Sequence, residues 1–219
     1  MRNRLLAFVT LLLMIAQPYK ACAQALADPN QLLRFTSSAF YAGIVNRALA
    51  VIPPTVFQRC PSLVSNGSTV TQIIPVTFGA DGFPNSGLWH QRFPVSGCGN
   101  DTTLNLFFSV TPAEVDNAVI GAPGSTHADL VLERDALTYA KIGALTGALC
   151  KSAEIKDTKF ENYGVRNPPI ADPGPGSHLR PWWEIWTMVG CGDTIEVPLD
   201  FVPQLRGTQI IQPGGVTEY

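Results

Sequence analysis

Alternating apolar and polar positions are the clearest pattern in the chain, and they predict two β-hairpins. Within residues 102–111, every second side chain from 104 to 110 is apolar, as in a strand with one buried face. These side chains belong to Leu104, Leu106, Phe108 and Val110. Residues 88–97 precede them across a turn at Cys98 and form the other strand. Residues 180–202 repeat this layout around a turn at Cys191, and they contain three of the four tryptophans.

Helical spacing of apolar residues precedes each hairpin. Residues 27–58 are predicted to begin with a helix, because Asp28 followed by Pro29 is a typical helix start and the prolines at 53 and 54 must end it. A helix followed by a short strand at 48–52 is the alternative. A second helix is predicted over residues 129–149, with a short strand at 130–132 as the alternative for its beginning. Its apolar stripe is weak and consists of Ile142, Leu145 and Leu149. Residues 112–117 are polar and predict one helical turn at most.

The remaining segments predict edge strands and loops. Residues 69–78 are rich in β-branched side chains and predict a strand, in which Pro75 requires an edge position or a bulge. The charged segment 154–163 predicts a second edge strand. Residues 167–177 are rich in proline and predict an exposed loop.

The two hairpins also align with one another. When Cys98 is placed on Cys191, residues 89–108 match residues 182–201 without a gap. Trp89 then falls on Trp182, Gln91 on Glu184, and Phe93 on Trp186. The alignment predicts a duplicated unit, with chance similarity of two hairpins as the alternative.

The predicted fold class is therefore α+β. It consists of two similar units, each a helix followed by an antiparallel β-meander or hairpin tied by one disulfide. The predicted boundaries are a cleaved signal peptide at 1–23, the first unit at 24–112, the second unit at 113–205, and a flexible tail at 206–219.

The N-terminus predicts export. Arg2 and Arg4 precede an apolar run over residues 5–16, and Ala21 and Ala23 offer the small residues of a cleavage site. This run is shorter than the roughly 20 residues that a membrane-spanning helix needs. The expected location is the periplasm or the exterior of the cell.

Four cysteines would remain after cleavage, and in an exported chain they predict two disulfides. The repeat favours Cys60–Cys98 and Cys150–Cys191, with pairing between the units as the alternative. A metal site is not expected, since the chain has no CxxC pair and no histidine at ligand spacing from a cysteine.

Charge limits the possible partners. Removing residues 1–23 takes three of the 15 basic residues and none of the 17 acidic ones, which leaves a net charge of −5. An acidic chain without a basic run is not expected to bind nucleic acid. The predicted partner is a protein or glycan in the envelope or outside the cell. We expect no cofactor, and no transmembrane segment once the signal peptide is removed.

The tryptophan cluster is the candidate ligand-binding site. Its residues are Trp182, Trp183, Glu184 and Trp186. Alternation puts Trp182, Glu184 and Trp186 on one face, and we interpret that face as the core under the second helix. A carboxylate in this position requires hydrogen bonds from indole or backbone N–H groups, or else a raised pKa. Trp183 lies on the opposite face and could stack on a sugar ring.

Motifs of known enzymes are absent from the sequence: it contains no GxSxG, HExxH, Walker or GxGxxG pattern. No catalytic residue is assigned, although His178, Glu184 and Asp193 form the best acid–base set available. The pattern of Glu184, Trp186, Met188 and Cys191-Gly192 resembles small exported bacterial proteins and implies no activity. We therefore expect a non-enzymatic binding or envelope-assembly protein. The alternatives are a carbohydrate-binding module and a secreted hydrolase.

Overall fold

The computed structural model of the protein describes residues 29–50, 64–65, 67–97, 99–111, 114–164, 180–204, 206–212 and 217–218. Several sequence predictions lie outside these residues. They concern the signal peptide, Asp28, the end of the first helix, Cys60, Cys98, the proline-rich loop and His178.

The described chain consists of helices and antiparallel strands, which confirms an α+β fold. The helices are α1 (Pro29–Thr36), α2 (Ala39–Leu49) and α3 (Leu130–Gly147). The strands before α3 are β1 (Val64–Ser65), β2 (Thr69–Phe78), β3 (Pro84–Gly97), β4 (Asn100–Thr111) and β5 (Glu114–Ile120). Those after α3 are β6 (Glu154–Tyr163), β7 (Trp182–Gly190), β8 (Asp193–Gln204), β9 (Gly207–Ile211) and β10 (Thr217–Glu218).

Strands β1 to β5 form the first sheet, and α1 and α2 cover its core. Strand β3 pairs with β4 along one edge and with β1 and β2 along the other, and β5 adds to the far side of β4. The indole of Trp89 stacks on Phe108 with ring centroids 5.2 Å apart. The Trp89 Nε1–H donates to the Tyr41 hydroxyl, and this hydroxyl donates to Gln91 Oε1. These contacts anchor α2 on the sheet.

Strands β6 to β10 form the second sheet, and α3 packs on its core. Strand β8 pairs with β7 on one side and with β9 and β10 on the other, while β6 lies beyond β7. Trp182 stacks on Phe201 at 4.9 Å, and Trp186, Met188 and Val197 are fully buried. The interpretation of this face as core is confirmed.

The predicted single N-terminal helix is instead two helices. The break falls at Ser37 and Ser38, where the Ser38 hydroxyl accepts the Tyr41 N–H at 3.2 Å and caps α2. A capping serine competes with the preceding helix for the backbone. The two short helices pack Phe35 against Tyr41 with ring centroids 5.3 Å apart.

The helical turn predicted at 112–117 was wrong, because Glu114–Ile120 is strand β5. It pairs with the free edge of β4, with Ala118 opposite Phe108 and Ile120 opposite Leu106. An available strand edge outweighs weak local propensity. The edge strand with a bulge at Pro75 is confirmed, since β2 shifts register between Ile74 and Thr77.

Helix α3 lies close to its predicted bounds but packs through a different face. Ile142, Leu145 and Leu149 are exposed, and the buried positions are Ala136, Ala140, Gly143 and Ala144. A Cβ on Gly143 would lie 2.6 Å from Val197, so only small residues allow this close approach of helix and sheet. The stripe predicted as the buried face was therefore wrong.

A disulfide between Cys150 and Cys191 joins the end of α3 to the turn between β7 and β8, with Cα atoms 5.8 Å apart. This confirms the predicted pair in the second unit. The tail predicted to be flexible instead contributes β9, which pairs with the last residues of β8. In the part of the chain that the structure describes, no helix is long and apolar enough to cross a membrane.

Leu149 has a backbone conformation that favours glycine: its φ is 56° and its side chain is 82% exposed. We expect Leu149→Gly to raise the free energy of unfolding by about 0.5–1 kcal/mol, because relief of left-handed strain exceeds the added chain entropy. Leu145→Gly, inside the helix, should lower it by about 1 kcal/mol. Urea unfolding midpoints measure both changes, and equal effects would contradict the strain at Leu149.

Candidate functional site

The segment between β5 and α3, residues 121–129, joins the two sheets and is called the connector below. On the first sheet, the Gly121 and Gly124 N–H groups donate to the carbonyls of Asn105 and Thr103 at 2.8 and 2.7 Å. The Asn105 amide nitrogen returns bonds to the Ala122 and Gly124 carbonyls. The connector thus continues along β4 where β5 ends.

The same segment bonds to the second sheet through β6. The Ser125 N–H donates to the Thr158 carbonyl at 2.8 Å, and its hydroxyl accepts the Phe160 N–H at 3.0 Å. The Thr158 hydroxyl donates to the Pro123 carbonyl at 2.6 Å. Beside the connector, the Thr102 hydroxyl donates to Asp157 and links the sheets directly. These bonds join the connector and β4 of the first sheet to β6 of the second.

Glu184 of β7 is fully buried, and its carboxylate binds the end of the connector. Its Oε1 accepts the His127 backbone N–H and the Trp182 indole N–H, both at 2.8 Å. Its Oε2 accepts the Trp186 indole N–H at 3.0 Å. The predicted hydrogen bonds from indole and backbone N–H groups are confirmed, and they account for a carboxylate among tryptophans.

The four sequence-predicted ligand residues have different surroundings. Trp186 and Glu184 belong to the core, while Trp182 and Trp183 are each partly exposed, on opposite faces of β7. Glu184 and Asp193 do not converge, because Asp193 follows the turn of the hairpin and Gly190, at the start of that turn, is six positions along the strand from Glu184, or about 20 Å. Among the described residues, no three His, Cys, Asp or Glu side chains lie together as a metal site requires.

A partly open cleft of about 530 Å³ lies between the sheets, beneath the connector and beside the first turns of α3. Most of its surface is apolar. Its lining residues are Leu104, Val119, Ile120, Gly121, Ala122, Pro123, Leu130, Val131, Glu133, Arg134, Leu137 and Ile155. Its volume is within the range of small-molecule sites.

Glu133 is the buried polar group of this cleft, and its side chain is only 4% exposed. Its Oε2 accepts the Ala122 N–H at 2.6 Å, whereas its Oε1 has no hydrogen-bond partner in the described chain. Burial raises the pKa of the Glu133 carboxyl to about 7, against the opposing effect of the Ala122 N–H. The negative charges of Glu184 and Asp129 add to the increase.

No family model, curated protein or solved structure matches the chain. The geometry of the cleft is therefore the feature of the molecule that bears on function.

Local structure fixes the position of Glu133. Asp129 caps α3, and its carboxylate accepts the Val131 and Leu132 N–H groups at 3.0 and 2.9 Å. The next residue is Glu133, one turn into the helix and facing the connector. Gly121 makes room for it, because a Cβ there would lie 2.8 Å from Glu133 Oε2. The approach of connector and helix buries the carboxyl.

Sequence reasoning missed Glu133, which lies in a charged stretch with Arg134 and Asp135 that is typical of a solvated helix face. One signal was present. Glu133 precedes Ala136, Ala140 and Gly143 by three, seven and ten positions, so it belongs to the same helical face as these small residues. Recognising the small residues as the packed face would have placed the carboxyl inside.

Proposed function

We propose that this is an exported, non-enzymatic binding protein that takes a small, mostly apolar molecule into the cleft between its two sheets. The observation that carries the proposal is Glu133 Oε1, a buried acceptor without a donor in the described chain, on a residue that lines an apolar cleft. Buried polar atoms normally have partners. A bound molecule that brings a donor would provide one.

Binding fits the cleft better than catalysis does. Its described lining contains one buried ionisable side chain, Glu133, and an exposed one, Arg134. A hydrolase would require a nucleophile or an activated water beside the acid–base group, and no cysteine, serine, threonine or histidine is among these lining residues. Glycan binding through the tryptophans has less support, because Trp186 is fully buried and Trp182 packs on Phe201.

Export is supported by the apolar N-terminal run and by the disulfide between Cys150 and Cys191, since such bonds persist in oxidising compartments. We propose the periplasm or the cell exterior as the location. Envelope assembly is the wider role that such a binding protein would serve.

We further propose that the two sheets are copies of one unit. The hairpin registers support this: Trp89 opposite Phe108 and Gly97 opposite Asn100 recur 93 positions later as Trp182 opposite Phe201 and Gly190 opposite Asp193. The next turn agrees as well, with Thr111 opposite Glu114 and Gln204 opposite Gly207. Under this proposal the cleft is a feature of the junction between the copies.

The binding proposal predicts uptake of a neutral apolar fluorophore. Titration of the disulfide-bonded protein with N-phenyl-1-naphthylamine should give a saturable rise in fluorescence at one site. Val131→Asn should weaken this binding about fivefold, since Val131 lines the cleft and loses apolar contact with the probe.

Ile142→Asn is the matched control. It also replaces a β-branched apolar residue of this helix by asparagine, at an exposed position that is not among the cleft lining. Its affinity for the probe should equal that of the unmodified protein. Absence of saturable binding, or equal loss in both variants, would contradict the cleft as the site.

A further inference from the structure

We propose that the occupant of the cleft is an alkylamine: a linear or branched apolar body that ends in a protonated primary or secondary amine bound by Glu133. This inference depends on the proposed function, and it specifies which head group the cleft selects. It follows from the hydrogen-bond inventory of the site, from the charges around it, and from the composition of its walls.

When Glu133 is ionised, its hydrogen-bond inventory requires a donor from the occupant. Glu133 Oε2 already receives the Ala122 N–H at 2.6 Å, and Oε1 receives none from the described chain. An ammonium group supplies up to three N–H donors and no acceptor. A carbonyl or ether could use this carboxyl only in its protonated form.

The charges near Glu133 favour a cation. Glu184 on β7 and Asp129 at the start of α3 are close enough to raise the pKa of its carboxyl, and Arg92 on β3 is the cation that lowers it. The Arg92 guanidinium donates to the Thr126 carbonyl at 3.2 Å. Arg134 is at the mouth, where its exposed side chain is 3.5 Å from Asp135. Around the Glu133 carboxyl, two carboxylates therefore act against one guanidinium, and this balance favours a cation over an anion.

The pKa of about 7 agrees with this assignment. Burial alone penalises the ionised carboxyl, and a bound cation compensates this penalty. Glu133 Oε1 is shielded from solvent, so the ammonium would have to turn the carboxyl slightly toward the cleft. The apolar walls, including Leu130, Leu137 and Ile155, accommodate the rest of the molecule.

The test is competition among three octyl compounds that differ only in their head group. Octylamine, octanol and octanoic acid are each titrated against the disulfide-bonded protein with N-phenyl-1-naphthylamine bound, at about pH 8.5. At this pH Glu133 is ionised. Octylamine is protonated, because its pKa is near that of lysine, about 10.4. Octylamine should reach half-displacement at a concentration about tenfold below that of octanol, and further below that of octanoic acid. At about pH 5.5 the advantage of the amine over octanol should shrink, because the Glu133 carboxyl takes up a proton.

Glu133→Gln tests whether the preference for the amine head group comes from the Glu133 carboxylate. The variant is compared through the ratio of its octylamine and octanol half-displacement concentrations, so that a change in its affinity for the fluorophore cancels. Its preference for octylamine over octanol should disappear. Asp135→Asn is the control for loss of an acidic group on the same helix, and it should keep the preference.

The outcomes distinguish the two proposals. If the unmodified protein does not bind the fluorophore, the proposed function fails. If the fluorophore binds but octanol or octanoic acid displaces it as well as octylamine does, only the amine assignment is overturned. An amine preference that persists in Glu133→Gln also overturns it.

Discussion

Replacing Gly124 by alanine is expected to lower the free energy of unfolding by about 3–5 kcal/mol. Gly124 has a φ of +105°, and a Cβ there would lie 2.0 Å from the Thr158 carbonyl oxygen and 2.5 Å from its nitrogen. Neither backbone atom can move without shifting β6 away from the connector. The expected loss combines left-handed strain with the weakening of several inter-sheet hydrogen bonds.

Gly207→Ala is the matched control for backbone strain alone. Gly207 has a similar φ of +122°, and a Cβ there would meet no atom within 4 Å. This variant should lose about 1–2 kcal/mol, the cost of the left-handed conformation. Urea unfolding of both variants measures the difference. Losses of equal size would show that the close approach of Gly124 to Thr158 does not contribute to stability.

Glu133→Gln is expected to stabilise the protein at alkaline pH by about 3 kcal/mol more than at acidic pH. The folded-state pKa of Glu133 is about 7, above its ordinary value of 4.5. Below 4.5 both the folded and the unfolded carboxyl are protonated, so burial has no charge penalty. As the pH rises from 4.5 to about 7, the unfolded chain releases a proton that the folded protein retains, and the free energy of unfolding of the unmodified protein falls. Above 7 the folded carboxyl also ionises, and the penalty is complete.

The measurement is the difference in unfolding free energy between Glu133→Gln and the unmodified protein at several values from about pH 4 to pH 8.5. Asp135→Asn removes an exposed carboxylate two positions away and is the control for loss of an acidic group from α3. A difference for Glu133→Gln that does not change with pH would mean that burial does not perturb this carboxyl. A stabilisation by Glu133→Gln that becomes smaller as the pH rises from 4.5 to 7 would reverse the proposed sign.

Sequence reasoning predicted the features that depend on local pattern. Period-two alternation predicted β3, β4, β7 and β8, because a strand with one buried face has apolar residues at every second position of its own sequence. It also predicted that Glu184 needs N–H donors, since a buried carboxylate has few other solutions. The Cys150–Cys191 pair followed from hairpin layout.

The features that it missed depend on contacts between distant segments. Strand β5 forms because β4 offers a free edge, and the sequence of residues 114–120 alone does not show that this edge is available. The burial of Glu133 depends on the connector lying across the first turn of α3, with Gly121 allowing the approach. The face by which α3 packs was misjudged for a related reason: large apolar residues usually mark the core, but close packing on Val197 selected alanine and glycine.

The connector also has a consequence for self-association. A strand edge with unpaired backbone groups is a template for another chain, and proteins commonly cover such edges. Ser125 occupies the outer edge of β6 at Thr158 and Phe160, while Gly121 and Gly124 occupy β4 beyond the end of β5. One short segment thus shields two strand edges from intermolecular pairing. A chain whose connector is displaced would expose both edges together, and assembly into larger species through strand addition would compete with folding.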